Sequence, residues 1–147
     1  MHSTIDIVYV EDDDIDAQFF ERAIRKADPN CRLRRFPDGQ VAVDYIPSVG
    51  ANRDPLPKAL VLDIKLPKLR GFDVLKAIRD NPHTQYLPVV MLSSSTQQSD
   101  IDLAYDLGAN SYLNKPPTMR ELNDIVGTMI KFWVKSNRLP VVHSMAA

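Results

Sequence analysis

Four consecutive acids, Glu11-Asp12-Asp13-Asp14, follow the apolar run Ile5–Val10 (IDIVYV), and a lone acid, Asp63, closes a second run, Ala59–Leu62. Ser93 closes a third run, Pro88–Leu92 (PVVML), and Lys115 follows a short fourth, Ser111–Leu113. Carboxylates that converge in one pocket repel each other and are poorly solvated there. A hard divalent cation relieves that conflict. Magnesium takes oxygen ligands and keeps several waters, so a few carboxylates plus phosphate oxygens suit it. Glu11, Asp12 and Asp63 are therefore the candidate metal ligands. Asp63 is also a candidate nucleophile, Ser93 a hydroxyl donor and Lys115 a fixed cation. Together they meet what phosphoryl transfer needs, which is positioning and charge neutralisation. Singly they say less: an acidic run before a helix commonly caps it and complements its dipole, and a carboxylate at a strand end is ordinary.

These residues converge only if the elements that carry them do. The apolar runs alternate with segments of helical period. Asp13 or Asp14 can cap a helix whose apolar face is Ile15, Phe19, Phe20, Ala23, Ile24 and Ala27. Cys31–Phe36 reads as a weaker strand, and its three arginines suggest a position near the sheet edge. A short helix carries Val41, Ala42, Tyr45 and Ile46, and Ser48–Lys58, with Gly50, Pro55 and Pro57, reads as an exposed loop. Further helices are expected over Phe72–Arg79, over Gln98–Leu107 with Gly108 as its stop, and from a Thr118/Glu121 capping box to about Lys135. Strands alternating with helices in this way predict an α/β fold, a doubly wound five-stranded parallel sheet, one domain over 1–136 and a patternless, mobile tail over 137–147. Such sheets bind ligands beyond the carboxyl ends of their strands, where the winding switches.

Bulk properties narrow the functional classes. The 147 residues suit one core, and a net charge of −1 carries no basic surplus for nucleic acid. One cysteine, Cys31, permits no internal disulfide and no multi-cysteine metal site. No stretch approaches the roughly 18 apolar residues of a membrane span, and the N-terminus lacks signal-peptide character. A cytoplasmic location is the expectation.

The pieces VEDDD, LVLDIKLPKLRGFDVL, PVVMLSSS and GANSYLNKPP, in that order and spacing, resemble a response-regulator receiver domain over about residues 5–135. The resemblance implies a flavodoxin-like fold with sheet order 2-1-3-4-5 and a role for each matching position. Asp63 would accept a phosphoryl group from the phosphohistidine of a sensor histidine kinase. Glu11, Asp12, Asp63 and the Lys65 carbonyl would hold Mg2+, with Mn2+ as an alternative. Ser93, Lys115 and the Ser94 backbone would bind the phosphoryl group. Tyr112 would switch together with Ser93, and Lys115-Pro116 matches the family's cis-peptide site. Two positions depart from the pattern. Lys65 stands two residues after Asp63 and is expected to slow hydrolysis, and Arg70 stands where many receivers carry Asp. The loop before the third strand, the SYLNKP segment and the late Phe132-Trp133 pair resemble the single-domain regulators that partner bacterial phytochromes.

No output domain is evident, so signalling is expected to pass by surface contact to an unknown downstream protein. Phe132 and Trp133 widen the apolar stripe of the last helix beyond what one core face needs. They suggest a homodimer built on the fourth helix, fifth strand and fifth helix, since aromatic anchors favour interfaces. Other uses of the fold fit less well. A flavodoxin-like flavin site would set four acids against a phosphate, and an aspartate-nucleophile phosphatase would have a second acid where Lys65 stands. A receiver-fold scaffold that is never phosphorylated would not need the full set of Glu11, Asp12, Asp63, Ser93 and Lys115.

Overall fold

The computed structural model describes residues 4–140. Five strands, β1 (Ile7–Val10), β2 (Leu33–Phe36), β3 (Ala59–Leu62), β4 (Val89–Ser93) and β5 (Ser111–Asn114), alternate with helices α1 (Asp14–Ala27), α2 (Gly39–Ala51), α3 (Gly71–Asp80), α4 (Gln98–Asp106) and α5 (Met119–Met129). The strands form one sheet in the order β2-β1-β3-β4-β5, and every pairing is parallel. Helices cover both faces, which is why β1, β3 and β4 are apolar at nearly every position. One core layer packs Val8, Val10, Leu60, Leu62, Val89 and Met91 against α2 and α3. The other packs Ile7, Tyr9, Val61, Val90 and Leu92 against α1 and α5. Strand β2 lies at the edge, and its exposed arginine, Arg34, covers the rings of Phe36 and Tyr45 at 5.0 and 4.7 Å.

Register sets the site. Val10 pairs with Leu62, so the next residue along each strand, Glu11 and Asp63, emerge side by side at the carboxyl edge. The Asp63 N–H donates to Val10 O at 3.2 Å and closes that edge.

Several expectations are corrected. Ile15 and Phe19 do not face the core. They are 63% and 41% exposed, and Ala17, Phe20, Ala23 and Ile24 make the buried face instead. Apolar residues spread over more than half of α1's circumference, so periodicity alone does not choose the arc that docks. Helix α2 continues through Pro47 to Ala51, four residues into the predicted loop, because Ala42 and Ile46 anchor it in the core. The last helix widens into a π-helical segment, Ile130–Ser136, ending in a bond from Asn137 N to Phe132 O at 2.7 Å. The Thr118 hydroxyl caps Glu121 N at 3.2 Å and donates to the Glu121 carboxylate at 3.1 Å. The cis bond expected at Lys115-Pro116 is absent: no peptide bond among the described residues is cis, and trans is the default X–Pro isomer by about 0.5–1 kcal/mol. Gly108, at φ +102°, ends α4 as predicted. Of the tail expected to be mobile, residues 141–147 lie outside the described residues.

Candidate functional site

The site residues are presented by the carboxyl ends of four strands: Glu11 and Asp12 follow β1, Asp63 follows β3, Ser93 ends β4 and Lys115 follows β5. Glu11, Asp12 and Asp63 each offer a carboxylate oxygen, and these oxygens lie within 4.8 Å of one another. Glu11 and Asp63 are buried, at 1% and 5% exposure, whereas Asp12 faces solvent. Two buried hard-oxygen donors beside an open one suit a divalent cation that keeps waters on its outer side.

Lys115 enters this group from the loop after β5. Its Nζ donates to Glu11 Oε1 at 2.5 Å, to Asp63 Oδ2 at 2.9 Å and to Asp16 Oδ2 at 2.9 Å. An ammonium has three N–H donors, so all of them are engaged. Burial works against the lysine's charge, but its hydrogen bonds to Glu11, Asp63 and Asp16 outweigh burial and hold its pKa above the usual value. Glu11 shows the opposite balance. Burial, with help from the Asp63 charge, pushes its carboxyl up to about 7, against the lowering pull of Lys115.

Four residues that support the site did not stand out in the sequence. Tyr9, in buried β1, donates from its hydroxyl to Glu11 Oε1 at 3.2 Å. A polar tip on an otherwise apolar strand is the signal that could have found it. Arg35, on β2, donates from Nε to the Glu11 carbonyl at 2.9 Å and pairs with Asp14 at 2.9 Å, so the edge strand braces the acidic loop. Gly71 starts α3, and a Cβ there would meet Asp63 O at 2.0 Å. Helix α3 therefore packs against the backbone that carries Asp63. The bond from Gly71 N to Ile64 O at 2.9 Å joins the two segments. Asp16 was hidden differently, because an acid in a first helical turn looks like a dipole partner.

The remaining predicted residues are placed as follows. Ser93 is fully buried, and its Oγ accepts from Ser95 N at 3.1 Å. Ser94 is exposed beside it. Tyr112 donates from its hydroxyl to Ser95 O at 2.9 Å, and Asn114 Nδ2 donates to the same carbonyl at 2.7 Å. The β4–α4 connection is thus latched from β5. The side chain of Lys65 is exposed, and its N–H points at Asp63 Oδ1 at 3.4 Å. Phe132 and Trp133 lie away from this pocket. Their rings meet edge-on at 4.8 Å and border a groove of about 390 Å³ with Leu113, Ile125 and Met129. Among the described residues, no helix is long and apolar enough to cross a membrane.

Known proteins carry the same frame. A probable methanogenesis regulatory protein, FilR2 of Methanothrix harundinacea, is 34% identical over 91% of this chain and 86% of its own. The response regulator Rcp1 of Synechocystis is 30% identical over 91% of this chain and 92% of its own. The crystal structure of Rcp1 in its Mn(2+)-bound form superposes with a TM-score of 0.79, covering 91% of this chain and 97% of that one. The phosphorylated cyanobacterial phytochrome response regulator RcpA superposes equally well, at 0.79 with 28% identity, covering 94% and 99%. The response regulator receiver domain matches residues 7–127. The sheet order, the convergence of acids at the ends of β1 and β3 and this match agree: the chain belongs to the response regulator receiver domain family of two-component signalling.

Proposed function

We propose that Asp63 is the phosphoacceptor of this chain and that Glu11, Asp12, Asp63 and the Lys65 carbonyl hold Mg2+, with Mn2+ as a substitute. The convergence of Lys115 and the Glu11/Asp12/Asp63 group on the end of β3 carries this reading. A carboxylate oxygen of Asp63 forms the new O–P bond as the P–N bond of the kinase phosphohistidine breaks. The imidazole leaves with the bonding pair and takes a proton from solvent. A divalent cation bound here supplies charge neutralisation for the phosphoryl oxygens. Lys115 pairs with one of those oxygens, and Ser93 turns its hydroxyl from Ser95 N toward another, with the Ser94 N–H beside it. That rotation loosens the connection that Tyr112 and Asn114 latch, which carries the change to the surface of α4 and β5. The same groups support slow attack of water on the phosphoaspartate, so the chain is a switch that also resets itself.

The donor we assign is a red-light-sensing phytochrome kinase in the cytoplasm, by analogy with RcpA. The groove beside Phe132 and Trp133, lined from β5 and α5, is our candidate contact for a second copy in a dimer built on α4, β5 and α5. Incubation with Mg2+ and phosphoramidate, read by intact mass, tests the central reading. One phosphoryl group should be gained, and the Asp63→Asn variant should gain none. No gain in the parent chain would leave a receiver fold that acts as an unphosphorylated scaffold. For the donor, transfer from a phytochrome kinase should outpace transfer from an unrelated histidine kinase. Equal rates would remove the phytochrome assignment.

A further inference from the structure

Two of the three carboxylates that hold Lys115 are those best placed to hold a metal. Glu11 and Asp63 belong to the group gathered within 4.8 Å, and Asp16 does not. A divalent cation and Lys115 therefore compete for the same two acids. Were the cation to take both, the remaining partner of the ammonium would be Asp16, whose Oδ2 lies 2.9 Å from Nζ in this structure. Without it, a lysine whose side chain is 17% exposed would stand unpaired beside a dication. It would swing out to water, because an unpaired charge in a partly buried place is costly.

We propose that Asp16 is a positioning residue that keeps Lys115 in the pocket when a divalent cation occupies Glu11 and Asp63, so that Nζ stays within reach of the phosphoryl group. This rests on the reading of Asp63 as a metal-assisted phosphoacceptor. Asp16 is suited to the role by its own placement. It is in the first turn of α1, and its backbone N–H is capped by Asp13 Oδ1 at 2.9 Å, which fixes its position. Behind the Asp16–Lys115 pair, Tyr9, Phe19, Phe20 and Pro116 wall a small cavity of about 60 Å³. Its apolar lining offers the ammonium no other anion.

The test reads the lysine directly. Amine labelling by reductive methylation, resolved by peptide mass spectrometry, is run on the parent chain, Asp16→Asn, Asp16→Glu and Glu21→Gln, with and without saturating Mg2+. The exposed Lys26 and Lys131 serve as internal standards. Without Mg2+, Lys115 should be protected in all four, because Glu11 and Asp63 hold it. With Mg2+, labelling of Lys115 should rise about tenfold in Asp16→Asn, the scale of one lost charge-assisted hydrogen bond. It should change less than about twofold in the parent chain and in Asp16→Glu, which restores a carboxylate, and likewise in Glu21→Gln, which removes a charge on the same helix that pairs with Arg25 rather than Lys115. Phosphoryl uptake from phosphoramidate should slow with the same pattern. Mg2+ binding is measured alongside by calorimetry. If the parent chain binds no Mg2+, the phosphoacceptor reading fails and this inference with it. If Mg2+ binds and Lys115 stays protected in Asp16→Asn, only the role of Asp16 is overturned.

Discussion

Replacing Lys115 by Met isolates the electrostatics of the pocket. The substitution keeps the length and apolar stem of the side chain and removes the ammonium that bonds Glu11, Asp16 and Asp63 at 2.5–2.9 Å. Two of those acids are almost dry, with side-chain exposures of 1% and 7%, while Asp16 is 43% exposed. Removing one partner from a buried ion pair costs about 3–5 kcal/mol, because the other charge is left uncompensated. The exposed Asp16 adds little, as solvent already screens it. Glu11 limits the loss further. Its carboxyl is already at about 7 with the lysine present, so it can neutralise itself by taking a proton. The lower end, about 3 kcal/mol at pH 7 in metal-free buffer, is the expected destabilisation. A divalent cation should reverse most of it, since it replaces the missing positive charge and meets no competing lysine. An ion at about 100 times its Kd returns about 2.7 kcal/mol. Urea titrations of both proteins, in EDTA and in excess Mg2+, measure the two quantities. A Lys115→Met variant within about 1 kcal/mol of the parent in EDTA would refute the view of Lys115 as the resting counter-charge. A large loss that Mg2+ leaves untouched would refute the shared use of the acids.

Further outcomes follow from other contacts. Gly71→Ala should cost about 3 kcal/mol or more in urea titrations and slow phosphoryl uptake, since the new Cβ would meet Asp63 O at 2.0 Å and backbone must move. Lys65→Asn should lose its phosphoryl group faster in a mass time course, because the exposed ammonium two residues from Asp63 no longer shields the site from water; an unchanged lifetime makes Lys65 a solvated bystander. Phe132→Ser should elute as a monomer in size-exclusion chromatography with little change in stability, since the ring is 52% exposed; a parent chain that is monomeric at every concentration removes the dimer. Cys31 should react with iodoacetamide at pH 8 about a hundredfold more slowly in the folded chain than in urea. Burial and the nearby Asp6 and Asp28 push its thiol up from the ordinary 9.0 to about 11, which depletes the thiolate.

The fold was legible where burial on both faces writes a continuous apolar run. Ile7–Val10, Ala59–Leu62 and Val89–Ser93 stand out for that reason. The acids and the lysine were legible because their strands end on polar residues at one edge of the sheet. What the sequence hid depends on rotation and distance. Ile15 and Phe19 share the helical period of Phe20 and Ile24, and only docking decides which side is covered. Pro47 and Gly50 resemble a helix end, yet the turn they occupy is held by Ile46 in the core. The partnership of Asp16 with Lys115 spans 99 residues, and no local pattern encodes it. Arg35 resembled an edge-strand solubilising charge, whereas it braces the Glu11 backbone from the neighbouring strand.

The repulsion among the acids first argued for a metal, and the geometry changes what the metal is needed for. Lys115 sets a positive charge against Glu11, Asp16 and Asp63, so the chain itself neutralises part of the acidic charge of the pocket. A phosphoryl group on Asp63 would upset that balance, because it would replace one carboxylate charge by close to two and bring three strong acceptor oxygens at neutral pH. One ammonium could not serve those oxygens and the buried Glu11 carboxylate together. On the proposed reading the phosphorylated pocket would need both cations, with Lys115 turned toward the phosphoryl group. On that reading the lysine contacts and the divalent ion would draw on the same acids in turn. Phosphoryl uptake should accordingly be negligible in EDTA, even though the metal-free chain is folded.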